Sequence, residues 1–187
     1  MPIRVLALVG SLRSGSHNRQ LAQAAGKLAP EGVEIDIHEG LADVPLYNED
    51  IDVEGSVPAA AARLREAADG ADAFLLLSPE HNGTLPAALK NAIDWCSRPR
   101  GSAALAGKPA AVIGASAGRF GGARAHDDAR RALGVAGAVV LDHAPLAIPG
   151  SRARFADVQP VQDAEVTEQL PAIIEQLAAA ATEAAAS

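Results

Sequence analysis

Val5-Leu6-Ala7-Leu8-Val9-Gly10-Ser11-Leu12-Arg13-Ser14-Gly15-Ser16-His17-Asn18-Arg19-Gln20-Leu21 is the stretch whose reading decides the fold. Five apolar residues run into a segment of Gly, Ser, Arg and Asn, and a helical pattern then begins, with apolar positions at Leu21, Ala24, Ala25 and Leu28. This spacing predicts a buried strand, a tight turn and a helix entered at its N-terminus. Such an end presents unpaired N–H groups and partial positive charge, which suits a phosphate. Ser11, Ser14, Ser16 and Asn18 can donate to phosphate oxygens, and Arg13 can add a charge-assisted bond. Gly10 and Gly15 let the backbone approach closely, with positive φ if the turn needs it. The competing reading is plainer: Ser16 or Asn18 caps the helix and does no more.

Two familiar phosphate loops do not match. A Walker A loop needs Lys and then Ser or Thr after its last Gly, whereas Gly15 is followed by Ser16 with no Lys nearby. A dinucleotide fingerprint needs Gly-x-Gly-x-x-Gly with an acidic residue about 20 positions on. A hydroxyl-rich loop without an evident metal ligand better suits a monophosphate ester.

The whole chain narrows the class further. Its 187 residues are expected to form a single domain, 1–187. Aromatic residues make up 3% and the net charge is -7, which disfavours a base-stacking platform and a polyanionic partner, so no nucleic acid is expected. One cysteine, Cys96, permits neither an intrachain disulfide nor a two-cysteine metal site. The first apolar run is too short for a signal peptide or a membrane span, so no membrane association and a cytoplasmic location are expected.

Along the chain, Val33-Glu34-Ile35-Asp36-Ile37 alternates as a strand near a sheet edge. A long connection rich in Gly and Pro follows, then a helix from Pro58 stopped at Gly70. Ala73-Phe74-Leu75-Leu76-Leu77 has no polar face, the mark of a central parallel strand. It opens into Ser78-Pro79-Glu80-His81-Asn82-Gly83-Thr84-Leu85-Pro86, with a helix from about Thr84 to Arg98. A fourth strand, Ala110 to Gly114, enters a loop with three glycines, Ala115 to Gly122. A helix through Ala125, Ala129 and Leu133 comes next, and a fifth strand is expected at 138–141. An amphipathic helix closes the chain, and its alanine-rich end, 178–187, is expected to fray.

The alternation predicts an α/β fold, a doubly wound five-stranded parallel sheet with helices on both faces. In such sheets a ligand lies beyond the carboxyl ends of the strands where their order reverses. The flavodoxin-like order 2-1-3-4-5 obeys this rule, with the reversal between strands one and three. Those two strands lead into the two polar loops.

Gly10-Ser11-Leu12-Arg13-Ser14-Gly15-Ser16-His17-Asn18, Pro79-Glu80-His81-Asn82-Gly83, Leu89-Lys90-Asn91-Ala92-Ile93-Asp94-Trp95, Gly114-Ala115-Ser116 and Gly121-Gly122 together resemble the NADPH-dependent FMN reductase family over roughly residues 3 to 150. The resemblance implies a flavodoxin-like fold and FMN as cofactor, with Ser11, Arg13, Ser16, His17 and Asn18 at its phosphate. It implies Pro79, Glu80, His81, Asn82 and Gly83 along the isoalloxazine ring and Ser116, Ala117 and Gly118 at the ring's other edge. His81 departs from the family, which usually has Tyr there.

The implied activity is an NAD(P)H oxidoreductase that passes hydride through FMN to a small oxidant by a ping-pong route, with NADPH or NADH as co-substrate. The oxidant could be a quinone, free flavin, azo compound or metal oxyanion. The cofactors carry that chemistry, so no side chain is expected to act as a catalytic acid, base or nucleophile. Arg119 is a candidate for the NADPH phosphate. A homodimer or homotetramer is implied. The alternative is a flavodoxin-type electron carrier without a nucleotide site. Cys96 is expected to pack in its helix, Trp95 and Asp94 to serve an interface or core contact, and His126, Asp127 and Asp128 to form a solvated surface rather than a metal site.

Overall fold

The apolar run near the N-terminus forms β1, Ile3–Val9, and the helix after the polar loop is α1, His17–Leu28. This computed structural model describes residues 1–186. β2, Val33–Ile37, pairs in parallel with β1 and takes the sheet edge, with Glu34 and Asp36 exposed. The connection that follows contains two short 3-10 turns, Leu41–Asp43 and Glu49–Ile51, before α2, Ala59–Asp69. β3, Ala73–Leu77, lies beside β1 and is wholly buried, so the continuous apolar run is a central strand.

Beyond β3 come α3, Ala87–Cys96; β4, Pro109–Ala115; and α4, Ala123–Ala136. α3 begins later than the sequence suggests, because Pro86 is its N-cap and residues 81–84 form a separate turn. The strand order is β2-β1-β3-β4-β5, the expected order with parallel pairing throughout. The fifth position is split. β5, Val139–Val140, pairs with the start of β4, and β6, Leu146–Ile148, pairs with its end. Asp142, His143 and Pro145 interrupt the run, since proline cannot donate to a ladder and the two polar residues do not suit the covered sheet.

A one-turn helix α5, Ser151–Arg154, follows β6, and α6, Ala164–Ala185, ends the described chain. The alanine-rich end is therefore helical to Ala185, and Ala181 packs into the core; Ser187 lies outside the described residues. Side chains alternate across the sheet. Val5, Ala7 and Val9 join Leu75 and Leu77 against α1 and α6, while Leu6 and Leu8 join Phe74 and Leu76 against α2, α3 and α4. Among the described residues no helix is long and apolar enough to cross a membrane.

Candidate functional site

The loops after β1, β3, β4 and β6 meet at the carboxyl ends of their strands, and a cavity of about 230 Å³ opens among them. Ser11, Arg13, His17, Asn18, Pro79, Glu80, His81, Ser116 and Ala117 line it together with Ala115, Ser151 and Arg152. Ser16, Asn82, Gly83, Gly118 and Arg119 are outside this lining.

Within the loop after β1 the polar residues divide. Ser16 is buried and its Oγ accepts from the Arg19 N–H at 3.1 Å, so it is the N-cap of α1. Asn18 is buried too. Its Nδ2 donates to the Ala115 carbonyl at 2.8 Å and its Oδ1 accepts from the Ala115 N–H at 2.8 Å, which ties α1 to the end of β4. The Asn18 side chain is thus mostly committed to the backbone, leaving one Nδ2 hydrogen for a ligand. Ser11, Arg13 and Ser14 make no side-chain hydrogen bond among the described residues. Neither Gly10 nor Gly15 adopts positive φ. Gly10 is needed for packing, because a Cβ there would lie 3.1 Å from Pro86 Cγ.

The loop after β3 is shaped by its backbone. Asn82 and Gly83 both have positive φ, 51° and 83°, and His81 and Thr84 exchange backbone hydrogen bonds of 3.0 and 3.1 Å across them. Asn-Gly is the pair such a two-residue turn demands. Glu80 lies at the base of the turn, with Oε2 buried and without a partner among the described residues. Beneath it, Ser78 accepts through its carbonyl from His126 Nε2 at 2.9 Å, which places the proton on Nε2. His126 is 1% exposed, so the solvated surface expected for it is corrected: it faces inward with Ala125, Ala129 and Leu133. Burial pushes its imidazole below the usual histidine value, while the Ser78 bond partly opposes this. Among the described residues no group of three or more His, Cys, Asp or Glu could hold a metal ion.

The loop after β4 is fastened to the segment after β6. Ser116 N–H donates to the Ile148 carbonyl at 3.1 Å, Ser151 N–H to the Ser116 carbonyl at 3.0 Å and Gly150 N–H to the Gly118 carbonyl at 3.2 Å. Gly121 allows β6 to come close, since a Cβ there would be 2.5 Å from the Ala147 carbonyl carbon. This fastening brings Ser151 and Arg152 to the cavity, two residues absent from the set expected on sequence. Their signal is present in Leu146-Ala147-Ile148-Pro149-Gly150-Ser151-Arg152, a short apolar strand leading into Pro-Gly and then polar residues, the pattern of the other three loops.

Charge is concentrated here. Two arginines, Arg13 and Arg152, face one carboxylate, Glu80, on a chain whose net charge is -7. Burial, then Arg13 and Arg152, push the His17 imidazole below its usual value, and His17 Nδ1 is buried without a partner among the described residues. Arg119 sits over the exposed Phe120 ring, 4.4 Å from its centroid.

A larger groove, about 870 Å³, lies between α3 and α4, where Lys90 pairs with Asp94 and Arg131 with Asp128. Arg98 and Arg100 also line it and make no ion pair among the described residues, but it is fed by one strand-end loop alone, through Thr84 and Leu85. Nearby, Trp95 is buried, donates from Nε1 to the Pro45 carbonyl at 2.8 Å and lies under Arg65, so it is a core contact. Asp94 is half-exposed on its helix in the pair with Lys90. Cys96 is buried and its thiol is pushed up to about 12 by desolvation, which leaves it unreactive at neutral pH.

Residues 3–153 match the family described as NADPH-dependent FMN reductase, a span that covers all four loops and ends just past Arg152. The chain belongs to that family. It is therefore a member of an oxidoreductase family with a flavodoxin-like fold. This FMN reductase family member is 48% identical over 147 residues to an NAD(P)H-dependent FMN reductase of Pseudomonas aeruginosa, covering 79% of the chain and 75% of that protein. It is 46% identical over 129 residues to a quinone reductase of Pseudomonas putida, covering 69% and 68%. Among solved structures it resembles FerB, a flavoenzyme NAD(P)H:(acceptor) oxidoreductase from Paracoccus denitrificans, with a TM-score of 0.85 and 32% identity over 97% of this chain and 98% of that one.

Proposed function

We propose that the chain is an FMN-dependent NAD(P)H oxidoreductase that reduces a small acceptor, with quinones as the leading class. The observation that carries this reading is the cavity itself: a net positive, donor-rich pocket at the strand ends of a flavodoxin-like sheet. The residues present fit FMN. Among the described residues His17 Nδ1 is a buried nitrogen without a partner and the Ser11 and Arg13 side chains have no hydrogen-bond partners, and the lining is positive on an acidic chain. A cavity of 230 Å³ is below the roughly 300–1,000 Å³ that encloses a whole drug-sized ligand, so it suits the phosphate end, with the rest of the cofactor on the rim.

Ser11, Arg13, His17 and backbone N–H groups at the start of α1 hold the phosphate in this reading, with Ser16 and Asn18 fixing the loop that presents them. Pro79, Glu80, His81, Asn82 and Gly83 form the support for the ring, and Ser116, Ala117 and Gly118 offer backbone groups to its far edge. FMN, when bound, supplies the hydride chemistry. FMN held there would keep one face accessible, with the exposed His81 turn and the Arg119–Phe120 pair as the residues that would meet a second substrate. One shared face for nucleotide and acceptor gives a ping-pong scheme. A homodimer or homotetramer and a cytoplasmic location complete the proposal. The quinone reductase of Pseudomonas putida supports a quinone acceptor.

Steady-state oxidation of NADPH and of NADH with varied benzoquinone tests it. Parallel double-reciprocal lines are expected. Flavin-loaded protein that oxidises neither nucleotide would instead identify an electron carrier.

A further inference from the structure

Arg152 and Arg154 stand two residues apart in α5 and have opposite surroundings. Arg154 is fully engaged: it pairs with Asp163 at 2.6 Å and with Glu165 at 2.8 Å, so those carboxylates are taken. Arg152 lines the cavity and makes no ion pair or side-chain hydrogen bond among the described residues. We propose that Arg152 is a second phosphate-gripping residue, reaching the FMN phosphate from the β6 side while Arg13 reaches it from the β1 side, and that it sets selectivity for FMN over riboflavin. The inference rests on the FMN reading above.

Three observations place Arg152 for this role. The hydrogen bonds from Ser151 to Ser116 and from Gly150 to Gly118 fasten the residues just before it to the loop after β4. On its other side Phe155 packs edge-on against His17, with ring centroids 5.4 Å apart, which holds α5 beside the first turn of α1. Arg152 and Arg13 both act on the same His17 imidazole, whose Nδ1 is buried and unpartnered among the described residues. Among the described residues Glu80 is the only carboxylate lining the cavity, which leaves the lining net positive. Two forked guanidiniums approaching from separate strands can grip a dianionic monoester, whereas riboflavin offers them no charge.

Flavin-stripped protein titrated with FMN and, separately, with riboflavin, followed by flavin fluorescence, reads this directly. Arg152→Ala is expected to weaken FMN binding by about tenfold to a hundredfold, the range of a lost charge-assisted bond, and to change riboflavin binding by less than about twofold. Arg152→Lys should recover part of the loss. Because Arg152 is exposed, the variants should melt with the parent, which a thermal scan verifies. Equal weakening of both flavins would overturn the inference, since the residue would then act on the pocket as a whole. An unchanged FMN affinity would also overturn it, and a raised KM for NADPH beside that result would assign Arg152 to the nucleotide. Failure of the parent protein to bind FMN would overturn the FMN reading itself.

Discussion

The floor of the site and its rim are built on opposite terms. On the floor, Asn18, Ser78 and His126 are buried and bonded to backbone: Asn18 to Ala115, Ser78 to the Pro79 carbonyl and His126 to the Ser78 carbonyl. On the rim, Arg13, His81 and Arg152 are exposed and have no side-chain hydrogen bond among the described residues. Polar groups that satisfy one another define shape, and polar groups left over define what the shape receives. Changes to the floor should therefore appear first as lost stability, and changes to the rim as lost ligand affinity with the fold intact.

The sharpest way to break the floor is Gly114→Ala. A Cβ there would lie 2.2 Å from the Ser78 carbonyl oxygen, 2.9 Å from Asn18 Oδ1 and 2.9 Å from His126 Nε2, so all three floor contacts must shift at once. A loss of about 3 kcal/mol or more is expected in urea unfolding, at the upper end for an overpacked site. Asn18→Leu comes next. It leaves the Ala115 N–H and carbonyl without the side chain that pairs them, for a loss of about 2–3 kcal/mol. A variant that kept full stability and lost only FMN affinity would move Asn18 from floor to rim.

The smallest effect is a pH dependence. His17, His38 and His126 are all held below the usual histidine value, mainly by burial. The unfolded chain then takes up protons first, so their contribution is complete above about pH 6.5 and is lost as pH falls from there through the folded values. Asp52 and Asp163 are lowered chiefly by hydrogen bonds from Arg65 and Arg154, and they lose their contribution later, as pH falls from the usual carboxylate value through their own lowered ones. Thermal melts should therefore soften in two separate steps. His126→Gln, which keeps a donor for Ser78, should shrink the drop between about pH 7.5 and about pH 5.5.

The floor and rim also differ in how far they can be read from sequence. Strand, loop and helix order is legible because Val5 to Val9 and Ala73 to Leu77 are unbroken apolar runs and Val33 to Ile37 alternates. The rim loops are legible because polar residues crowd after those strands. The floor is not. Asn18 reads in sequence as a phosphate donor or a helix cap, and its bonds to Ala115, 97 residues away, leave no signal there. His126 looks solvated beside Asp127 and Asp128, although its spacing from Ala129 and Leu133 puts it on the apolar stripe of α4. Arg152 is hidden by the split fifth strand: with one strand expected at 138–141, the second segment that leads into the site has no place.

The most direct test of the reductase assignment is an anaerobic visible spectrum of the FMN-loaded protein before and after one equivalent of NADPH, and separately of NADH. Rapid bleaching of the flavin band by at least one nucleotide, with recovery on adding a quinone, is the predicted result. A bound flavin that neither nucleotide bleaches, while dithionite does, would contradict the assignment as a reductase.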